Sequence, residues 1–148
     1  MSLQNLNSPL LRGTLYANAV FSGVSGLVFL LLPEQLSGWL FASAFDLLGL
    51  GPALLIRLSG VMLLGFALLV FLAARRSGIA IRHVQLICLT DLGWVIGSAA
   101  CLIWGASLFT TAGFWAELLV AALVLDFALL QAWALRRGLT ARQLSAAA

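Results

Sequence analysis

Four apolar runs of membrane-spanning length limit the folds that are open to this sequence. They cover about residues 11–32, 53–74, 84–104 and 114–135, and each is long enough to cross a hydrocarbon core about 30 Å thick. Backbone polar groups in lipid must find partners within the protein, so each run is predicted to be a helix. The sequence therefore predicts an all-α integral membrane protein, a four-helix antiparallel bundle forming a single transmembrane domain over residues 1–148.

The composition argues against a water-soluble domain. Hydrophobic residues make up 63% of the chain and charged residues 9%, and the mean hydropathy is +1.11, whereas a soluble domain carries about 25% charged residues. The net charge of +3 rests on eight arginines without any lysine. These arginines lie near the ends of the apolar runs and form no basic face, so membrane lipid is the expected partner and nucleic acid is not.

The distribution of arginine predicts the orientation of the bundle. Seven arginines lie at the end that also carries both chain termini, and only Arg57 lies at the other end. Positive residues are retained on the cytoplasmic side of membrane proteins, so both termini of this multi-pass protein are predicted to be cytoplasmic. The seven are Arg12, Arg75, Arg76, Arg82, Arg136, Arg137 and Arg142.

The segment between the first two spans is predicted to contain a short amphipathic helix at about residues 34–48. Apolar side chains recur there at helical spacing, with polar residues between them. Such a helix would lie in the membrane interface, with Trp39 at the depth of the headgroups.

Polar residues inside the spans form the candidate site. Counting inward from the arginine-rich end places Asp91 and Asp126 at a similar depth, about 12–15 Å from the membrane edge. Asn18 and Gln131 fall near the same level, and Trp94 shares a helix face with Asp91. A carboxylate at the centre of a membrane helix costs about 2.5–3.5 kcal/mol, so these groups are expected to face one another inside the bundle.

Two interpretations of this polar cluster remain open. The two aspartates could share a proton as a relay pair, or form the polar end of a ligand pocket. Alternatively, each could be neutral or hydrogen-bonded to Asn18, Gln131 or an indole N–H, and only fix the helix register.

Arg57 and Glu117 lie about one turn from the other ends of their spans and could form an ion pair there. Each could equally extend to water independently. Glu117 is nine residues from Asp126, half a revolution of the helix, so it is expected to lie outside the polar cluster.

The sequence contains no Ser/His/Asp arrangement, no set of metal ligands, no glycine-rich phosphate loop and no pair of histidines for haem. We therefore expect no metal and no cofactor, and an enzyme with chemistry of its own would have few residues to use. Cys88 and Cys101 fall in one predicted helix about 20 Å apart, too far to form a disulfide.

Three segments, NAVFSGVSG at 18–26, DLGWVIGS at 91–98 and DFALLQ at 126–131, with Pro33 closing the first span, resemble small uncharacterised bacterial four-span inner-membrane proteins. More distantly, the chain is similar to the DoxX-like proteins. The resemblance implies a four-helix fold in a bacterial inner membrane. Some DoxX-like proteins are linked to quinone-coupled sulfur oxidation, but this chain lacks the cysteines and histidines to carry that chemistry over.

Three hypotheses for the function follow. The first is a non-catalytic membrane protein, either an accessory subunit beside a partner membrane subunit or another copy of itself, or a binder of lipid or another hydrophobic ligand. The second is a small proton-coupled transporter or channel that uses Asp91 and Asp126. The third is a membrane enzyme acting on quinone or lipid, with Asp91 as a general base.

Overall fold

A computed structural model describes residues 5, 6 and 8–147, and it confirms the predicted all-α fold class. The helices are α1 (Pro9–Leu31), α2 (Pro33–Leu40), α3 (Pro52–Arg75), α4 (Ile81–Trp104) and α5 (Thr111–Ala147). A 3₁₀ turn at Ala106–Leu108 and two short antiparallel strands, β1 (Asn5–Leu6) and β2 (Ile79–Ala80), complete the described elements.

Four helices are long and apolar enough to cross a membrane, namely α1, α3, α4 and the Thr111–Thr140 part of α5. Their outward surfaces are apolar as well. Leu31, Met62 and Ile103 are 70%, 72% and 72% exposed. A contiguous outward surface of large aliphatic side chains is expected where a protein meets lipid. The length of these helices and their apolar outward surfaces are those of a multi-pass membrane protein.

Two predicted boundaries differ from the structure. α5 continues to Ala147, well beyond the predicted end of the fourth span near residue 135. Residues 136–147 contain no proline and consist largely of alanine, leucine, arginine and glutamine, which are strong helix formers, so nothing local ends the helix.

The helix predicted for residues 34–48 is half as long in the structure, because α2 ends at Leu40. Its end is set by a distant partner: the Ala42 N–H donates to the Leu108 carbonyl at 2.8 Å, and the Thr110 N–H donates to the Leu40 carbonyl at 2.9 Å. Residues 40–42 thus pair with residues 108–110 across one end of the bundle. We call the two connecting segments there, residues 41–50 and 105–110, the cap.

The long helices form two antiparallel hairpins. α1 packs mainly against α3, and α4 packs mainly against α5, while α1 and α5 join the hairpins along one side. The aromatic rings of Phe21 and Phe127 lie 5.7 Å apart in that junction. On the opposite side, α3 and α4 make few contacts although they follow each other in the chain. We call the space between α3 and α4 the seam.

The arginine-rich end is held by polar contacts between distant parts of the chain. The Arg12 guanidinium donates to the Ala74 carbonyl at 2.7 Å, which satisfies a carbonyl at the end of α3. β1 pairs with β2, so Asn5 and Leu6 lie against the turn between α3 and α4.

The α1–α3 hairpin depends on two glycines that allow the helix backbones to touch. A Cβ on Gly60 would lie 2.9 Å from both the Gly26 carbonyl oxygen and the Leu30 nitrogen. A Cβ on Gly26 would lie 3.0 Å from the Gly60 oxygen. Small residues at membrane helix interfaces permit this approach, and dispersion contacts between the backbones then stabilise the pair.

We predict that Gly60→Ala destabilises the protein by about 1–3 kcal/mol, because the new methyl group forces α1 and α3 apart. Thermal unfolding in detergent micelles measures the effect. Gly65→Ala is the matched control on the same helix, because a Cβ there meets nothing within 4 Å. The control should be neutral or slightly stabilising, since alanine favours a helix over glycine. Equal losses in the two variants would contradict the close contact.

Candidate functional site

Asp91 lies at the centre of a hydrogen-bond network that joins three helices. Its side chain on α4 is buried, with 3% of its surface exposed. The Asn18 Nδ2 on α1 donates to Asp91 Oδ2 at 2.8 Å, and the Gln131 Nε2 on α5 donates to the same oxygen at 3.4 Å. The low polarity of the surroundings makes such bonds strong and their loss costly.

A second set of donors orients the two amides. The Ser22 hydroxyl donates to Asn18 Oδ1 at 3.1 Å, and the Cys88 thiol lies 3.6 Å from Gln131 Oε1. With their oxygens occupied, both amides turn an N–H towards Asp91. The network therefore fits a carboxyl oxygen that accepts hydrogen bonds, and it fixes how α1, α4 and α5 face one another.

Asp126 does not belong to this network. Its side chain is exposed on the outward surface of α5, whereas Gln131 is fully buried. Five residues along an α-helix correspond to a rotation of about 140°, so the two side chains cannot both point inward. The structure corrects the expectation that Asp91 and Asp126 face each other: they share a depth in the sequence but not a face of the bundle.

Of the two alternatives for Arg57 and Glu117, the structure does not show the ion pair between them, because Arg57 pairs with another residue. Arg57 Nη2 lies 3.7 Å from Glu34 Oε1, the first carboxylate on α2. Both side chains are more than half exposed, so the pair contributes little to stability. Glu117 is half-buried and lines the cavity in the seam. It lies fourteen residues before Gln131 on α5 and so has nearly the same angular position, on the inner side of the helix.

A cavity of about 700 Å³ fills the half of the seam beneath the cap. Its volume falls within the range of about 300–1,000 Å³ that is usual for small-molecule sites. Apolar atoms form most of the wall, with a few polar groups from the cap, α3, α4 and α5. The lining includes Phe41, Phe45, Asp46, Ile56, Ser59, Met62, Thr90, Gly93, Trp94, Gly97, Ser98, Cys101, Phe109 and Glu117.

Two glycines keep the cavity open on the α4 side. A Cβ on Gly93 or on Gly97 would meet nothing within 4 Å. The spacing of these glycines is typical of a close helix contact, but no helix of the described chain occupies their face. They line the cavity instead.

Trp94 is the residue of the candidate site with an unsatisfied polar group. Its ring lines the cavity, and its Nε1 is buried without a hydrogen-bond partner among the described residues. The indole therefore does not donate to Asp91, although the two side chains lie on one helix. A buried N–H without an acceptor costs about 1–3 kcal/mol, which an acceptor within reach would offset.

No group of three or more His, Cys, Asp or Glu side chains that could hold a metal ion occurs in the described part of the chain. Cys88 and Cys101 are free thiols. The polar groups present can bind and orient a molecule through hydrogen bonds and charge.

The sequence matches no protein-family model, and no curated protein or solved structure is significantly similar to it. The resemblance to DoxX-like proteins thus stays a prediction, and the function has to be argued from the geometry of the seam.

We predict that Asp91→Leu destabilises the protein by about 1–3 kcal/mol for each amide donor, on Asn18 and Gln131, that loses its acceptor. Asp126→Leu is the matched control at similar depth. Its side chain faces outward, so an apolar replacement should be neutral or stabilising. Unfolding by a sodium dodecyl sulfate titration measures both. Similar losses in the two variants would contradict the separate positions of the aspartates.

Proposed function

We propose that this protein is a non-catalytic multi-pass membrane protein that binds a small amphiphile from the bilayer in the cavity between α3 and α4. The observation that carries the proposal is the cavity itself. α1 and α3 touch through their backbones, whereas α3 and α4 leave about 700 Å³ between them. An apolar cleft of this size that opens between membrane helices suits an apolar ligand.

The surroundings of the cavity favour a lipid-like molecule over another helix. The cap closes one end, since residues 41–42 pair with residues 108–110 across it. A transmembrane helix, about 10 Å wide with its backbone groups already paired, would need an unobstructed groove. A flexible acyl chain fits an irregular space and can reach it laterally from the bilayer.

The polar groups of the wall favour a ligand whose polar end is neutral or positively charged. Asp46 and Glu117 line the cavity, and no arginine does. The single arginine at this end, Arg57, lies beside Glu34. A rotation of the Trp94 ring would also present its unpaired N–H to an acceptor on the ligand. In this arrangement the Asp91 network holds α4 in place against α1 and α5 and takes part in no chemical step.

With the arginine-rich end in the cytoplasm, as the positive-inside bias favours, the cap and its cavity lie at the outer face of the membrane. The ligand would then come from the outer leaflet.

The first test is photolabelling in proteoliposomes with a long-chain alkylamine that carries a diazirine on its chain. We predict that labelling of the cavity-lining peptides falls at least about tenfold in Gly97→Leu, because the leucine side chain occupies the ligand's space. Gly65→Leu is the control, since Gly65 has equally open surroundings but does not line the cavity. Labelling spread evenly over the lipid-facing surface would contradict the proposal, and copurification of a stoichiometric protein partner would favour an accessory subunit instead.

The second test compares two ligands of the same chain length and opposite charge. The alkylamine should label the cavity more strongly than a fatty acid of the same chain length, and Glu117→Gln should reduce this preference about two- to fivefold. Glu34→Gln removes a carboxylate outside the cavity and should leave the preference unchanged. A preference that is insensitive to Glu117 would show that this carboxylate does not meet the ligand.

A further inference from the structure

The seam contains a second hollow at the arginine-rich end, which adjoins the cavity beneath the cap at Thr90. Its volume is about 270 Å³, and it lies between the last part of α3 and the first part of α4. Apolar side chains, among them Phe66, Leu69 and Leu86, form its walls, while Arg76 and His83 stand at its mouth. Both of these polar side chains are exposed.

No aspartate or glutamate side chain of the described residues lines this hollow to balance its positive charge. Residues 1–12, 75–83 and 136–148 contain no aspartate or glutamate. Within the described residues, the one ion pair is that of Arg57 and Glu34 at the opposite end. Arg76 is permanently charged, and its planar guanidinium matches the geometry of a phosphate. His83 adds a ring N–H donor in either protonation state.

The dimensions of the hollow fit one leaflet of a membrane. From Arg76 to Phe66 the wall of α3 covers ten residues, a rise of about 15 Å, which equals half of a hydrocarbon core about 30 Å thick. Leu69 and Leu86 are 66% and 61% exposed in the structure, so the apolar wall itself lacks a cover. A phosphate at the mouth would therefore place an acyl chain along this wall.

We propose that this hollow is a binding site for one anionic phospholipid, with its phosphate between Arg76 and His83 and one acyl chain along Leu69 and Leu86. Basic pockets between helices at the cytoplasmic side recognise such headgroups by charge and shape. The site is distinct from the cavity beneath the cap, whose wall carries carboxylates, and it would select lipids of the opposite charge.

Native mass spectrometry tests this proposal on the full chain in a neutral detergent. The protein is incubated with equal amounts of phosphatidylglycerol and phosphatidylcholine that carry the same acyl chains. We expect one retained phosphatidylglycerol in preference to phosphatidylcholine. The double variant Arg76→Gln/His83→Gln should reduce that preference about fivefold or more, the effect of losing one arginine near a headgroup.

The matched control is Arg136→Gln/Arg137→Gln, which removes two positive charges at the same end but on α5, away from the hollow. It should keep the preference for phosphatidylglycerol. An equal loss in the control would overturn the proposal, because the attraction would then come from the basic end as a whole. Equal retention of the two lipids by the unmodified protein would overturn it as well.

A wall variant separates a bound lipid from a headgroup held only by charge. Leu86→Gln keeps both basic residues and changes an exposed side chain, so the fold should be unaffected. It should reduce the retained phosphatidylglycerol, and unchanged retention would overturn the acyl-chain part of the proposal. Alkylamine labelling beneath the cap should be the same in all these variants, which keeps this test independent of the proposed function.

Discussion

The buried carboxyl of Asp91 determines how α4 is rotated in the bundle. An acid inside an apolar bundle must have hydrogen-bond donors, and the two that it has come from Asn18 on α1 and Gln131 on α5. Once Asp91 faces these helices, Gly93 and Gly97 are rotated by about 160° and 120° away from it. The small residues then lie towards α3, where they line an open space. The polar network and the seam are thus two consequences of one orientation.

Packing within the α1–α3 hairpin differs from packing across the seam between the two hairpins. Between α1 and α3, glycine allows backbone contact and leaves no room for a ligand. Between α3 and α4, the same residue type leaves a face without a partner. Small residues are therefore ambiguous in a membrane sequence, since they permit a close contact but do not create one.

Much of the fold could be predicted because its signal is local. The apolar runs specify four helices from length and hydropathy alone, and depth counted from the arginines placed Asn18, Asp91 and Gln131 near one level. Depth is a single coordinate, however, and it does not say which face of a helix is inside. The side chains of Asp126 and Gln131 point in different directions from α5, so only one of them can face the inside of the bundle. Glu117 lies close to the angular position of Gln131, so helix geometry applied to Gln131 would have placed it on the inner side of α5. The end of α2 was beyond local prediction, because it depends on backbone partners about 70 residues further along the chain.

The two hairpins contact each other along the α1–α5 junction and are separated along the seam on the opposite side. Widening or narrowing the seam would leave the packing within each hairpin intact. Among the restraints on such a motion are the Asn18–Asp91 hydrogen bond near the α1–α5 junction, the paired backbones of the cap, and the packing of α2 against α5. A change in the width of the seam would therefore have to be accommodated at these contacts, while the backbone contact between α1 and α3 could stay as it is.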